Sequence, residues 1–147
     1  MQALPDDVPA PPLVILLSGP ATRPSPTRLS TARHPPTPCC TPSTFGGLGA
    51  LYADDLPLAD PRISPINGRL DRFERVAIYI GTRDILLHDA ERLRDRFIEA
   101  GVEVIFERYG GMPHDWMLMP IPEAHRQLNH AAALLRAPRP PGPSSAR

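Results

Sequence analysis

Apolar residues are concentrated in three short runs along the chain, each with the length of a buried strand. The runs are LVILLS at 13–18, VAIYIG at 76–81 and VEVIFERY at 102–109. The second run is continuous in apolar and β-branched residues, as expected of a strand that is buried on both faces. We therefore predict three strands, two of them in the second half of the chain.

Between the last two runs, the residues have the period of an amphipathic helix. Apolar residues recur there at helical spacing: Ala90, Leu93, Phe97 and Ala100. Gly101 follows as a helix stop. A strand, a helix and a strand within 34 residues form a βαβ unit, in which the strands are parallel and the crossover is almost always right-handed. A second helix is predicted over 122–136, with proline near its first position.

This order of elements predicts an α/β fold, a mostly parallel sheet flanked by helices. In it, residues 1–18 supply one strand and residues 47–136 the main α/β portion. Residues 19–46 carry seven prolines and no acidic residue, so they bury too little apolar surface to offset the entropy of ordering, and we predict an irregular, disordered insertion. The Pro-rich residues 137–147 are predicted to be a disordered tail.

Composition narrows the classes of function without identifying one. The chain has 147 residues, 21 of them proline, and its 16 arginines balance 16 acidic residues with no lysine. A formal charge of zero offers no basic face for a nucleic-acid partner. The run at 13–18 is too short to span a membrane and lacks the basic start of a signal peptide, so a soluble, cytoplasmic protein is expected.

The cysteines indicate neither a disulfide nor a metal site. Cys39 and Cys40 are adjacent, which makes them poor candidates for a structural disulfide, and no zinc-type spacing is present. His34 lies nearby, but a segment predicted to be disordered is a poor place for a metal site. We expect neither a metal nor a cofactor.

The geometry of a parallel sheet brings two chemically useful residues together. Asp84 lies three residues past the second run, and His114 lies five residues past the third. Reacting groups gather at the carboxyl ends of parallel strands, and neighbouring strands are about 4.8 Å apart. Since an acid that orients a histidine is half of a nucleophilic triad, Asp84 and His114 are the candidate catalytic residues.

Other interpretations of these residues stay open. Asp84 is also the kind of turn acid that caps a following helix, and His114 is also consistent with a hydrogen-bonded loop histidine. Asp115 is predicted to be solvated, and Asp89 to be a favourable charge in the first turn of the helix. The remaining histidines of the second half carry no functional signal: His88, His125 and His130.

An apolar patch next to His114 has two interpretations. Its members are Met112, Trp116, Met117 and Met119. They are suited to lining an acyl pocket, but methionine and tryptophan more often fill a core. We predict that they pack the last helix against the sheet.

Three motifs at their mutual spacing resemble those of a known family. They are DPRISPINGRL (60–70), GTRDILL (81–87) and GMPHDW (111–116). Together they are similar to the C-terminal half of the α/β-hydrolase fold, in the branch of hormone-sensitive-lipase-like esterases, and the resemblance covers 1–18 and 47–136. It implies hydrolysis of a small acyl ester by a serine, aspartate and histidine triad, with Asp84 as the acid and His114 as the general base.

The chain departs from that family in its nucleophile. The family's serine stands in G-x-S-x-G, on a strained turn, and the oxyanion hole uses an HGGG-type loop. Neither motif occurs in the sequence. Ser144, in GPSSA, comes nearest, but no strand-like run precedes it. The resemblance therefore implies a fragment that holds the acid and the base without the nucleophile.

The Pro-rich insertion has a possible origin in the coding DNA. With GC-rich codons, a shifted reading of TPCCTPSTFG at 37–46 gives Asp-Pro-Leu-Leu, a passage that the resemblance leads us to expect in this part of the chain. We hypothesise that residues from about 19 to 46 are a frameshifted translation. Resequencing the coding DNA tests this, and an error-free read with no such alternative frame contradicts it.

Two classes of function follow from the sequence. The first is a carboxylic ester hydrolase, in which a serine attacks the acyl carbonyl and His114 takes its proton. The second is a catalytically inactive remnant or interaction module, which the missing nucleophile favours for this polypeptide. Because a half-sheet leaves at least one strand edge open, self-association through strand edges is also expected.

Overall fold

The structure is a computed structural model that describes residues 7–19, 53 and 55–137. Several sequence-based predictions lie outside those residues: the irregular insertion beyond Gly19, the frameshift within it, His34, Cys39, Cys40, Ser144 and the tail beyond Ala137.

Three parallel strands form the sheet. They are β1 (Val14–Leu17), β2 (Arg75–Gly81) and β3 (Glu103–Tyr109). The strand order is β1-β2-β3, and β2 pairs with both neighbours in parallel. Each strand lies within one residue of its predicted position at either end. The predicted α/β fold class is confirmed.

Two helices cover the two faces of this sheet. They are α1 (Leu87–Glu99) and α2 (Pro122–Arg136). Alternate residues of β2 point to opposite faces, so Val76, Ile78 and Ile80 pack with α1, while Ala77 and Tyr79 pack with α2. All five side chains are buried, which explains why the sequence of β2 is a continuous apolar run rather than an alternating one.

The core on the α1 side is the larger of the two clusters. Leu93 and Phe97 of α1 are fully buried there, and the rings of Phe73 and Phe97 lie perpendicular to each other with centroids 5.8 Å apart. The predicted helix face is correct except for Ala100, which lies one residue past the helix and is only partly buried. Gly101 follows with φ of +78°, a left-handed conformation that glycine adopts without strain.

Candidate functional site

The carboxyl end of β2 continues into a tight turn that holds Asp84. The Asp84 amide donates to the Gly81 carbonyl at 3.1 Å, and the Leu87 amide donates to the Asp84 carbonyl at 3.2 Å. The Leu86 amide donates to Asp84 Oδ1 at 2.9 Å. Asp84 is 2% exposed, so these bonds fix a carboxylate inside the protein at the start of α1. The Asp84 side chain therefore bonds to the backbone just before α1 and, as described below, also contacts His114.

The loop after β3 is fastened directly to the loop after β2. The Arg83 amide donates to the Met112 carbonyl at 3.0 Å, and the Gly111 amide donates to Thr82 Oγ1 at 2.8 Å. Gly81 makes this approach possible, because a Cβ atom there would overlap the Met112 carbonyl. The loop that carries His114 is thereby held over the end of β2.

These two loops bring Asp84 and His114 into contact. His114 Nδ1 lies 3.1 Å from Asp84 Oδ1 and 3.2 Å from Asp84 Oδ2. An ionised carboxylate only accepts hydrogen bonds, so the proton of this contact is on Nδ1. The Asp84 side chain is fully buried and that of His114 is 13% exposed. The acid therefore fixes the orientation of the ring, and proton exchange with a reacting group falls to the other ring nitrogen, Nε2.

The environment of His114 raises its pKa. Burial acts to lower it, but the hydrogen bond that His114 donates to Asp84 and the charges of Asp84 and Asp115 outweigh that effect. The protonated ring is stabilised, as required of a base that holds a proton during a reaction.

Asp115 also lies close to the histidine, which the sequence did not indicate. Its Oδ2 is 3.4 Å from His114 Nε2, and its side chain is 49% exposed. The prediction that Asp115 is solvated is therefore correct for about half of the side chain and incomplete for the rest. Its backbone φ of +52° places it in the left-handed region, and no local sequence pattern predicted that turn.

The apolar patch next to His114 divides into core and surface. Trp116 and Met117 are buried in a cluster with Ala124 of α2, and the rings of Trp116 and Tyr109 lie 4.5 Å apart. Met112 is partly buried against the same cluster. Met119 is 41% exposed, so the prediction that it packs α2 on the sheet is wrong. The 3-10 turn of residues 116–118 rotates it away from the core.

The other acidic and histidine candidates have local partners. Asp89, in the first turn of α1, pairs with Arg92 at 3.5 Å. His88 pairs with Glu91 at 3.2 Å, and His130 with the Tyr79 hydroxyl at 3.1 Å. None of these contacts involves Asp84 or His114.

Two other kinds of site are absent from the described ranges. In residues 7–19, 53 and 55–137, no three side chains of the His, Cys, Asp and Glu types are grouped as metal ligands. Over the same ranges, neither helix has the length and apolar character needed to cross a bilayer.

Comparison with known proteins relates the chain to the alpha/beta hydrolase fold. A family model described as alpha/beta hydrolase fold matches residues 1–118. An esterase of Acinetobacter venetianus is 33% identical over 84 residues, which are 56% of this chain and 28% of that protein. An acetyl-hydrolase of Streptomyces hygroscopicus is 33% identical over 78 residues, which are 52% of this chain and 26% of that protein.

Solved structures resemble the fold of this chain. A hormone-sensitive lipase from a metagenome library has a TM-score of 0.75 at 24% identity, over 88% of this chain and 44% of that one. The esterase E25 has a TM-score of 0.58 at 29% identity, over 63% of this chain and 29% of that one. The chain therefore spans less than half the length of the proteins it matches.

Proposed function

The chain belongs to the alpha/beta hydrolase fold family, and we propose that it supplies the acid and the base of a carboxylic ester hydrolase. Asp84 is the acid and His114 the general base. The printed sequence contains no G-x-S-x-G and no HGGG, so in this proposal the serine and the oxyanion hole are supplied by polypeptide other than these 147 residues.

One observation carries the proposal. A fully buried carboxylate on the loop after β2 meets the Nδ1 atom of a histidine on the loop after β3, at 3.1 Å. Both loops leave the carboxyl ends of adjacent parallel strands, where α/β folds place their reacting groups. The names of the two curated relatives, an esterase and an acetyl-hydrolase, support a small acyl ester as the substrate class.

The chemistry follows from the orientation of the ring. Asp84 keeps the proton on Nδ1, so Nε2 of neutral His114 accepts the proton of the serine hydroxyl as the oxygen attacks the acyl carbon. The imidazolium then gives that proton to the leaving alcohol, and an acyl-serine remains. In the second half, Nε2 takes a proton from water, whose oxygen attacks the acyl carbon. The bond from the acyl carbon to the serine oxygen then breaks, the acid leaves, and the imidazolium returns the proton to the serine oxygen.

A second function remains as an alternative, and the absent nucleophile motif favours it. In this alternative the chain is a catalytically inactive remnant or an interaction module, and the contact between Asp84 and His114 only fastens two loops together. The two functions differ in what happens when a serine is brought to His114 Nε2.

A fusion tests the difference. The part of the Acinetobacter venetianus esterase that precedes its matched region is joined in front of Met1, and release of p-nitrophenol from p-nitrophenyl acetate is followed. We expect turnover by the fusion that is lost in its His114→Ala variant, and no turnover by the 147-residue chain that exceeds that of its own His114→Ala variant.

Two results count against the proposal. Turnover by the fusion that is indifferent to His114→Ala removes the histidine from the reaction. Turnover by the chain alone that disappears in His114→Ala reveals a nucleophile within the 147 residues. The matched control is His88→Ala, which removes an exposed histidine paired with Glu91 and leaves both rates unchanged.

A further inference from the structure

His114 is held between two carboxylates. Asp84 Oδ1 lies 3.1 Å from Nδ1, and Asp115 Oδ2 lies 3.4 Å from Nε2. Ionised carboxylates accept hydrogen bonds and donate none. The Asp84 contact is a hydrogen bond that needs a proton on Nδ1, and the Asp115 contact is an ion pair that strengthens when the ring is charged, so the two contacts together favour the imidazolium form.

The two carboxylates differ in how deeply they are buried and in how firmly they are held. The Asp84 side chain is fully buried, whereas the Asp115 side chain is 49% exposed. Asp84 is also fixed by the Leu86 amide at 2.9 Å. Asp115 can thus rotate its carboxylate into water, while Asp84 stays in place.

The backbone of Asp115 aims it at the ring. Its φ of +52° and ψ of +27° are left-handed, a conformation that costs most side chains free energy and is tolerated best by glycine, asparagine and aspartate. Asp115 adopts this turn directly after the histidine, with its carboxylate within ion-pair distance of Nε2.

This arrangement opposes general base catalysis. A base must offer an unprotonated Nε2 to the hydroxyl, whereas a carboxylate at that atom favours the protonated ring. We propose that Asp115 is a positioning residue that holds His114 in a protonated resting state and occupies the place beside Nε2 that the nucleophile's hydroxyl takes in the assembled site. That the nucleophile's hydroxyl takes this place rests on the proposed function. The contact between Asp115 and Nε2 does not.

The surrounding charges agree with this role. From the loop after β2, His114 is faced by Asp84, and from its own loop by Asp115, and the charges of both raise its pKa against the opposing effect of burial. Arg83, the neighbour of Asp84 in sequence, is exposed to solvent. In the proposed cycle, docking of the serine displaces Asp115 toward water, and His114 releases its extra proton to solvent.

Titration of His114 by NMR in the full 147-residue chain tests the proposal without any turnover. The imidazole carbon and proton shifts are followed from pH 5 to 9, and the His114 signal is assigned from its loss in His114→Gln. We expect the His114 pKa to be lower in Asp115→Asn than in the parent chain. Asparagine keeps the shape of aspartate and tolerates the left-handed turn, so the variant removes the negative charge without forcing the backbone to move.

Asp71→Asn is the matched control. It also removes one exposed carboxylate, but Asp71 precedes β2 and lies at the opposite end of that strand from the site, about 20 Å away for seven residues of strand. A His114 pKa that falls in Asp115→Asn and not in Asp71→Asn supports the proposal. A His114 pKa that is equal in the parent and Asp115→Asn overturns it. If Asp115→Asn loses the chemical-shift pattern of the folded chain, Asp115→Gly, which removes the carboxylate and relaxes the turn, is read by the same criterion.

The fusion adds a readout that separates this inference from the proposed function. There we expect Asp115→Asn to move the acidic limb of the kcat/KM profile to lower pH, since His114 then loses its proton more easily. One combined result separates the two. If Asp115→Asn lowers the His114 pKa in the chain but the turnover of the fusion is unchanged by His114→Ala, the contact is upheld and the proposed function is refuted. An unchanged acidic limb in an active, His114-dependent fusion refutes the resting-state role.

Discussion

At the residue scale, the site is a histidine whose two nitrogens face two acids of unequal burial. The proximity of Asp84 and His114 was predictable from sequence, because each follows a recognisable buried strand and parallel strands end at one edge of a sheet. The approach of Asp115 to Nε2 was not, because it depends on one left-handed backbone angle. Nor was the exposure of Met119, since an apolar residue directly after a short 3-10 turn belongs to no periodic pattern from which to infer its direction.

The raised pKa of His114 predicts a pH dependence of stability. The ordinary value for an unfolded chain is about 6.5, so between that value and the higher folded pKa the native state binds more protons than the unfolded state. The contribution of His114 to the free energy of unfolding is therefore complete below the unfolded pKa and is lost as the pH rises through the folded pKa. We expect the urea midpoint, followed by fluorescence of the single tryptophan, Trp116, to fall from pH 6 to pH 8.

The matched variant for this prediction is His114→Gln, which has no proton to lose in that range. Its midpoint is expected to fall less over the same interval. Equal slopes for the two proteins would mean that other groups cause the pH dependence and that the Asp84 contact does not stabilise the protonated ring.

At the scale of the elements, local patterns were enough to predict three strands and two helices. A strand buried on both faces shows a continuous apolar run, and a helix covering one face shows a 3.6-residue period, so β2, α1 and α2 could be recognised without knowledge of their neighbours. The fastening of the loops that carry Asp84 and His114 could not, since the Thr82 and Met112 bonds join residues 29 apart in sequence.

Gly81 is the residue on which the close contact between these two loops depends. In Gly81→Ala the new Cβ overlaps the Met112 carbonyl, so the loop that carries His114 must move. We expect a loss of about 1–3 kcal/mol in the free energy of unfolding, the usual range for overpacking, measured by urea unfolding at pH 7. The His114 contact with Asp84 should weaken as well, visible as a lower His114 pKa in the NMR titration.

Gly110→Ala is the control, because nothing lies within 4 Å of the Cβ position there. Its free energy of unfolding should stay within about 0.5 kcal/mol of the parent, as for most surface changes. If Gly81→Ala is as stable as Gly110→Ala, the close approach of the two loops in the structure is wrong.

At the scale of the whole molecule, the described sheet is only three strands wide. The family that the motifs predicted is confirmed by the match over residues 1–118. The order β1-β2-β3 was not predictable from the strand pattern alone, because the distance in sequence between β1 and β2 leaves their adjacency to long-range packing. The side chains of β1 are only partly buried, unlike those of β2, as expected of an edge.

This edge predicts self-association of the isolated chain. Within the described residues, β1 is hydrogen-bonded to one neighbouring strand, and an unpaired edge with apolar side chains is a template for another strand. We expect the sedimentation coefficient of the 147-residue chain to rise with concentration. In the fusion we expect the added segment to pair with β1 and the sedimentation coefficient to stay constant. A chain that sediments as a monomer at every concentration would show that the edge is already covered.

The central claim is that Asp84 orients His114 for catalysis, and the turnover of the fusion with Asp84→Asn tests it most directly. Asparagine keeps the size of the side chain but holds the wrong tautomer of the histidine, so the account predicts that kcat for p-nitrophenyl acetate falls by about 10⁴ relative to the parent fusion. A parent-like kcat in the Asp84→Asn fusion would contradict the account, because the contact between Asp84 and His114 would then only join two loops.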